Sequence, residues 1–275
     1  GDAKEAAHLF DKLQQNFCKQ QEYGGKKYFC TLSAGYAAYP EDGGNYLELF
    51  KRANYSLEYS KIMGKNRMTV FSRNILADRE RRLELMELLR ESVERGFAGF
   101  SIHYQPQADT LSGRLCGAEA LARWHCGKYG DVSPGEFIPL MEQSGLIVPF
   151  GQWILSHGMA QCLEWRRSRP DFQISVNLSY IQLSQGDFIS FLRTALEENS
   201  LDPSRLIMEL TETYLAKAEE DTLRLIAQMK ELGVKIAMDD FGVGYSSLFS
   251  LKSIPVDVVK IDRRFVKGIT SEPFN

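Results

Sequence analysis

The larger part of this chain is predicted to be an α/β domain built on a parallel sheet, and three observations predict it. From residue 97 onward, strand-like runs end near Asp109, Trp124, Ser179, Glu212, Phe241 and Asp262. Helical patterns separate most of these runs, one of them carrying Leu225, Met229 and Leu232 on one face before Gly233. Strands that alternate with helices build parallel sheets, because a parallel connection needs a crossover. The 275 residues are 44% hydrophobic and 25% charged, a balance that suits a globular protein of one large domain or two smaller ones.

The elements follow in order. Residues 3–18 place Ala6, Phe10, Leu13 and Phe17 at helical spacing, and a polar turn with Gly24 and Gly25 comes next. Residues 28–39 read as one strand, closed by Pro40 and the turn at 41–44. Asn45 suits the N-cap of a helix whose Leu49, Ala53 and Leu57 share a face; Gly64 ends it, and residues 68–71 read as a short strand. This first unit is too small and one-sided for a complete core. Residues 72–96 read as a linker helix, charged at its start, with Leu85, Leu89 and Val93 on one packed face and Gly96 at its C-terminus. Residues 137–147 read as a helix packed on the sheet, with Glu142 a solvated charge. His103, His125 and Cys126 read as structural rather than functional.

Charge and cysteine content narrow the function. Lys plus Arg is 33 and Asp plus Glu is 36, so a net charge of −3 gives no general attraction to nucleic acid or anionic lipid, and neither DNA nor RNA is an expected partner. Five cysteines, an odd number without a CxxC pair, suit free thiols in a reducing cytoplasm. No run of 18 apolar residues exists, so no membrane contact is expected from this segment. The chain opens at Gly1 without Met and stops at Asn275, and both ends are expected to be cuts through a longer protein.

The strand ends carry the chemistry. In the run 117–124, period-two alternation places Glu119, Leu121 and Arg123 on one face. Asn177 lies between Val176 and Leu178, Glu209 between Met208 and Leu210, and Lys260 between Val259 and Ile261; Asp239 and Asp240 close the fifth run. A carboxylate flanked by large apolar residues in a strand is costly unless paired or bound to a cation. One such residue is usually an ion-pair partner; four at successive strand ends need a common reason. Their donor atoms are hard oxygens, which suit Mg²⁺ or Mn²⁺ rather than Zn²⁺. With one arginine and one lysine beside them, the set points to metal-assisted attack on a phosphodiester, because cations invert the field that would otherwise repel a phosphate.

The motifs that hold these residues resemble a known family. Residues 97–275 resemble the EAL domain, a cyclic di-GMP phosphodiesterase family, through Tyr104-Gln105-Pro106, Glu119-Ala120-Leu121-Ala122-Arg123-Trp124, Phe137-Ile138-Pro139-Leu140, Ser175-Val176-Asn177-Leu178-Ser179, Glu209-Leu210-Thr211-Glu212, Asp239-Asp240-Phe241-Gly242, Gly244-Tyr245-Ser246-Ser247-Leu248 and Lys260-Ile261-Asp262. The resemblance implies a TIM-like (β/α)8 barrel with an antiparallel first strand and a site at the C-terminal rim. It implies Glu119, Asn177, Glu209 and Asp239 as ligands of a first metal, Asp239 bridging to a second with Asp240 beside it, and two Mg²⁺ or Mn²⁺ ions in all. It implies Lys260 as the catalytic lysine at the attacking water, Gln105 and Arg123 as substrate contacts, and Glu212 as the anchor of the loop 240–248. That loop also takes part in dimerisation in the family, so a homodimer is expected. The product implied is linear pGpG, in bacterial second-messenger signalling. Val243 stands where the family usually has Thr. Six of eight strands are visible, and the family's seventh-strand Glu is not among them, so this chain alone is expected to be catalytically silent.

Residues 1–71 resemble the C-terminal half of a GGDEF domain, the diguanylate cyclase family, through Thr31-Leu32-Ser33-Ala34-Gly35, Ala53-Asn54-Tyr55-Ser56-Leu57, Ser60-Lys61 and Gly64-Lys65-Asn66-Arg67. The signature itself is absent, and Gly24-Gly25 lacks its acids, so no cyclase activity is expected. Two function classes stay open for the larger part: an enzyme that hydrolyses cyclic di-GMP, and a non-catalytic receptor for it.

Overall fold

The computed structural model describes residues 3–19, 21–24, 26–185, 187–215, 220–242 and 255–267. Val243 and the rest of the loop through Leu248 lie outside the described residues. The chain divides into two compact units, Gly1–Glu84 and Leu85–Asn275. The division falls inside the one helix that the sequence predicts over 72–96.

The first unit contains α1 (Ala3–Phe17), the antiparallel pair β1 (Gln21–Tyr23) and β2 (Lys26–Tyr28), β3 (Ala34–Tyr36), α2 (Tyr46–Ile62) and β4 (Met68–Val70). Strands β3 and β4 are parallel, Ala34 pairing with Met68 and Tyr36 with Val70. The single strand predicted over 28–39 is not formed. Its pairing is limited to Tyr28, at the end of β2, and to Ala34, Gly35 and Tyr36, and Phe29 between them is 75% exposed, so nothing there rewards one continuous extended backbone. Asn45 does cap α2, its Oδ1 accepting from the Glu48 amide at 3.0 Å. Gly35 is where β3 meets α2: a Cβ there would lie 2.0 Å from the Ala53 carbonyl oxygen. Among the described residues, Phe10, Phe71 and Ile75 are this unit's buried apolar side chains, whereas Tyr46, Leu47 and Phe50 are exposed. That is the meagre, one-sided core predicted from the sequence.

Helix α3 (Arg73–Glu94) leads into the second unit, where its Leu85 and Leu89 are fully buried in the main core. There follow β5 (Phe100–Ala108), β6 (Leu115–Cys126), β7 (Gly130–Val132), α4 (Pro134–Ser144), α5 (Ile147–Arg166), β8 (Gln173–Asn177), α6 (Tyr180–Ser184), α7 (Phe188–Asn199), β9 (Leu206–Thr211), α8 (Glu212–Leu215), α9 (Glu220–Glu231), β10 (Lys235–Phe241), β11 (Val258–Ile261) and α10 (Arg263–Val266). The sheet runs β5-β6-β8-β9-β10-β11. Strand β5 is antiparallel to β6, and the remaining neighbours on this path are parallel. Strand β7, three residues long, pairs with the end of β6 as a hairpin that the sequence reading missed, and there His125 Nδ1 meets Asp131 Oδ1 at 2.7 Å.

The two faces of the sheet differ. Ala118, Ala120, Trp124, Ile174, Val176, Met208, Leu210, Ile236 and Met238 are buried in the main hydrophobic core. Against the antiparallel pair lies an aromatic cluster: Phe100 stacks on Trp124 with centroids 5.6 Å apart and lies 4.9 Å from Phe150. Burial of this kind stabilises by roughly 25 cal/mol per Å² of apolar surface. Residues 137–147 do not make one helix. Ser133 caps α4, Pro134 occupies its first turn, and Gly145, at φ +76°, ends it in the left-handed conformation before α5 begins.

Burial sorts the thiols. Cys126 and Cys162 are buried, Cys30 and Cys116 exposed. Burial pushes the Cys162 thiol up to about 11, against a smaller opposite effect of Arg166 and Arg205. Because the thiolate is the nucleophile, Cys162 in the folded protein is expected to resist a thiol reagent at pH 8 while Cys30 and Cys116 react within minutes. Peptide mapping after brief labelling reads this, and early label on Cys162 would contradict the packing of α5.

Candidate active site

Strand register brings the polar residues together. Directly paired residues of adjacent strands share a face, and every second residue returns to it. Glu119 pairs with Ser175, Asn177 with Glu209, and Glu209 with Ala237, two residues before Asp239. Met238 pairs with Val259, which sets Lys260 beside Asp239. Glu119, Asn177, Glu209, Asp239 and Lys260 therefore occupy one face of five strands, each pair level with or slightly beyond the last. On the antiparallel side, Gln105 pairs with Glu119, His103 with Leu121, and Ser101 with Arg123. His103 is exposed on this face rather than part of a core.

The side chains converge on one atom. Lys260 Nζ lies 2.9 Å from Glu119 Oε2 and 3.4 Å from Asp239 Oδ1, and it donates a short hydrogen bond to Glu209 Oε2. Asn177 Nδ2 donates to Glu119 Oε1 at 2.8 Å, which leaves its carbonyl oxygen as the atom it offers a cation. The Glu209 side chain is 1% exposed. Burial foremost, and Glu119 in addition, push the Glu209 carboxyl above its usual range against the pull of Lys260. For Lys260, burial alone would favour the neutral amine, but the hydrogen bonds it donates to Glu209 and Glu119 reverse this and hold the ammonium firmly protonated.

The other predicted residues surround this cluster. The register between β10 and β11 shifts between Met238 and Phe241, and Asp240 sits in the shift with φ +55°, a left-handed conformation that Asp tolerates better than most residues. Asp240 is exposed, and partial burial together with Asp239 and Asp262 raises its carboxyl above the usual range. Glu212 is buried, and its Oε2 accepts from the Gly242 amide at 2.6 Å, where the loop after β10 begins. Gln105 is exposed on the site face, and Arg123 Nη1 donates to the Ala122 carbonyl oxygen at 2.8 Å. Neither belongs to the cluster around Lys260.

Two features escaped the sequence reading. Glu142 is not a solvated charge: its Oε1 accepts from Ser179 Oγ at 2.6 Å. Ser179 also forms a capping box with Gln182 at the start of α6, which fixes the chain just beyond Asn177. Ser175, the register partner of Glu119 on the neighbouring strand, is 1% exposed.

The donor set fits a hard divalent cation, since three carboxylates and a carboxamide face one point with a single positive charge among them. Among the described residues no three acidic, histidine or cysteine side chains are spaced to hold a metal ion by themselves. The carboxylates instead gather round the Lys260 ammonium, so an ion at their centre requires that Lys260 withdraw.

Comparison with known proteins places the geometry. Residues 86–274 match the family model described as EAL domain. The chain belongs to the EAL domain family. It is 35% identical over 269 residues to the bifunctional diguanylate cyclase/cyclic di-GMP phosphodiesterase MucR of Pseudomonas aeruginosa, an alignment that takes in 98% of this chain and 39% of that protein. It is 33% identical over 245 residues to the cyclic di-GMP phosphodiesterase PdeR of Escherichia coli, covering 89% of this chain and 37% of PdeR. The chain thus spans about two-fifths of the length of these curated relatives. Among solved structures of the EAL family, a MucR phosphodiesterase in complex with c-di-GMP superimposes with a TM-score of 0.64 at 38% identity, over 69% of this chain and 76% of that one. The α/β architecture is that of the EAL structures, a TIM-like barrel fold. No helix among the described residues is long and apolar enough to cross a membrane.

Proposed function

We propose that this chain carries the catalytic face of a metal-dependent cyclic di-GMP phosphodiesterase that opens the ring to linear pGpG. The observation that carries the reading is the meeting of Glu119, Glu209 and Asp239 at Lys260, from strands up to 141 residues apart in sequence. EAL phosphodiesterases as a class depend on metal ions, and relatives at 33–35% identity bear the phosphodiesterase name.

In this reading Glu119, Asn177, Glu209 and Asp239 would hold one divalent ion, and Asp239 and Asp240 would supply ligands to a second. Bound there, Mg²⁺ or Mn²⁺ supplies Lewis-acid polarisation of the phosphodiester and a more acidic attacking water. Lys260, displaced from Glu209 by the ion, would orient the attacking water and balance charge as the phosphorus centre is attacked. Arg123 binds a phosphate oxygen through charge-assisted hydrogen bonds, and Gln105, on the neighbouring strand, contacts the dinucleotide. Glu212 holds the start of the covering loop through Gly242. In-line displacement breaks one phosphorus–oxygen bond of the ring; the water oxygen becomes part of the new terminal phosphate, and the departing 3′ oxygen takes up a proton.

The described sheet has free edges at β5 and β11, and closing it as a barrel takes further strands. Because the chain spans only about two-fifths of its curated relatives, the activity is assigned to a protein of that length, with residues 1–71 as the second half of a GGDEF domain and the EAL domain pairing with a second copy. Alignment of a bifunctional cyclase/phosphodiesterase with nearly the whole chain supports this arrangement. The test is chromatography of c-di-GMP incubated with the full-length protein. Formation of pGpG in Mg²⁺ or Mn²⁺, none in EDTA and little in Ca²⁺ is expected, because Ca²⁺ prefers a larger, looser shell. Full turnover after EDTA treatment sinks the metal-dependent reading; tight binding of intact c-di-GMP without turnover would favour a receptor.

A further inference from the structure

Glu209 is the most buried acid of the cluster, and its carboxylate needs partners on the side away from Lys260. Ser175 pairs with Ile207, two residues before Glu209 on the neighbouring strand, and so lies on the same face as Glu209. The Ser175 hydroxyl lies against the Glu209 carboxylate and favours its charged form. Ser175 is itself 1% exposed, and its Oγ accepts a hydrogen bond from Gln107 Nε2 at 3.2 Å. Accepting from Gln107 leaves the hydroxyl proton to be donated elsewhere, and Glu209 is the acceptor it faces.

The contact from Gln107 spans three strands. Gln107 is on β5 and pairs with Gly117 on β6, and Gly117 pairs with Gln173 on β8, two residues before Ser175. The Gln107 side chain thus has to cross β6 to reach β8, and it crosses at the glycine. A Cβ on Gly117 would lie 2.9 Å from Gln107 Oε1 and 2.9 Å from the Gln173 carbonyl oxygen. The bare backbone at Gly117 keeps this crossing open.

We propose that Gln107 and Ser175 are positioning residues, which hold the Glu209 carboxylate in the orientation that faces Lys260 and, in the bound enzyme, the cation. This inference rests on the proposed function for the identity of the cation, but not for the geometry of Glu209. Partners that orient a metal-binding side chain typically affect affinity or activity by about 10–100-fold when removed. Ser175→Ala and Gln107→Leu remove the two donors without adding bulk, and Ser175→Thr keeps the hydroxyl on a strand-compatible side chain.

The experiment has two readouts on the full-length protein. Calorimetric titration with Mn²⁺ alone is expected to show about tenfold or greater weakening in Ser175→Ala, a smaller loss in Gln107→Leu, and near wild-type affinity in Ser175→Thr. The second readout is the slowly exchanging Lys260 ammonium signal in ¹H–¹⁵N spectra, identified by its absence from Lys260→Met. It is expected to shift and exchange faster in Ser175→Ala and to return in Ser175→Thr. An unchanged ammonium signal and unchanged Mn²⁺ affinity in Ser175→Ala overturn the proposal, as does failure of Ser175→Thr to restore either readout. A wild-type protein that binds no Mn²⁺, yet whose ammonium signal responds to Ser175→Ala, retains the positioning role and defeats the proposed function instead.

Discussion

Replacing Lys260 by Met is expected to destabilise the second unit by about 3–5 kcal/mol at pH 7.5, the usual consequence of leaving a buried charge without its partner. Lys260 holds Glu119, Glu209 and Asp239 together, and Glu209 has almost no access to water. Without the ammonium, burial and the neighbouring Glu119 push Glu209 further above its unfolded pKa. The sign follows from linkage: a carboxyl whose folded pKa is raised favours the folded state below its unfolded pKa, and that contribution is lost as pH rises through the folded pKa. The penalty in Lys260→Met should therefore shrink as pH falls toward the unfolded carboxyl value of about 4.3. Mn²⁺, by binding the folded state, should restore much of the stability while turnover stays absent. Urea melts at pH 7.5 and pH 5, with and without Mn²⁺, measure this. An undiminished melt at pH 7.5 without metal would show that Lys260 does not compensate the cluster.

Asp239→Ala is expected to lower turnover of c-di-GMP by more than about a thousandfold, because in the proposed site it removes a ligand from both ions at once. The fold should survive: Asp239 lies at a strand end with its side chain 23% exposed, and its backbone pairing with Thr211 does not depend on the side chain. Arg123→Ala should behave differently, raising KM by about ten- to a hundredfold, the cost of a hydrogen bond to a charged group, since Arg123 lies outside the cluster. Steady-state kinetics on both variants, with circular dichroism as a control for folding, separate the two roles. Normal turnover in folded Asp239→Ala contradicts the assignment of Asp239.

The parts of this fold that read directly from sequence are those fixed by local pattern. Acids set between large apolar residues, as at Glu209, announce a strand with a buried charge. Asn45, Gly96 and Gly233 announce helix ends. What did not read from sequence depends on register between distant strands. Nothing local tells Ser175 from any serine in a strand, and its role appears only when Glu119 and Gln107 are brought beside it by β6 and β5. Glu142 looks like a charge on an amphipathic helix until Ser179, 37 residues later, is placed against it. The strand predicted over 28–39 failed for the converse reason: its side chains suit a sheet, but only Tyr28 at its start and Ala34, Gly35 and Tyr36 find a neighbour, on two different strands. The arrangement of the carboxylates about Lys260 was likewise not legible, since sequence motifs identify which side chains meet but not which cation they meet around.

Divalent cations and the dinucleotide are expected to share the face on which Lys260 gathers the acids. Crystals of the full-length protein or its EAL domain, grown with Mn²⁺ and c-di-GMP and measured at the manganese absorption edge, test it most directly. Anomalous peaks are expected within about 2.3 Å of oxygens of Glu119, Asn177, Glu209 and Asp239, with Lys260 Nζ withdrawn from Glu209 and a phosphate of the ligand beside Arg123. Manganese bound elsewhere, or c-di-GMP seated on this face with Lys260 still bonded to Glu119 and Glu209, would contradict it.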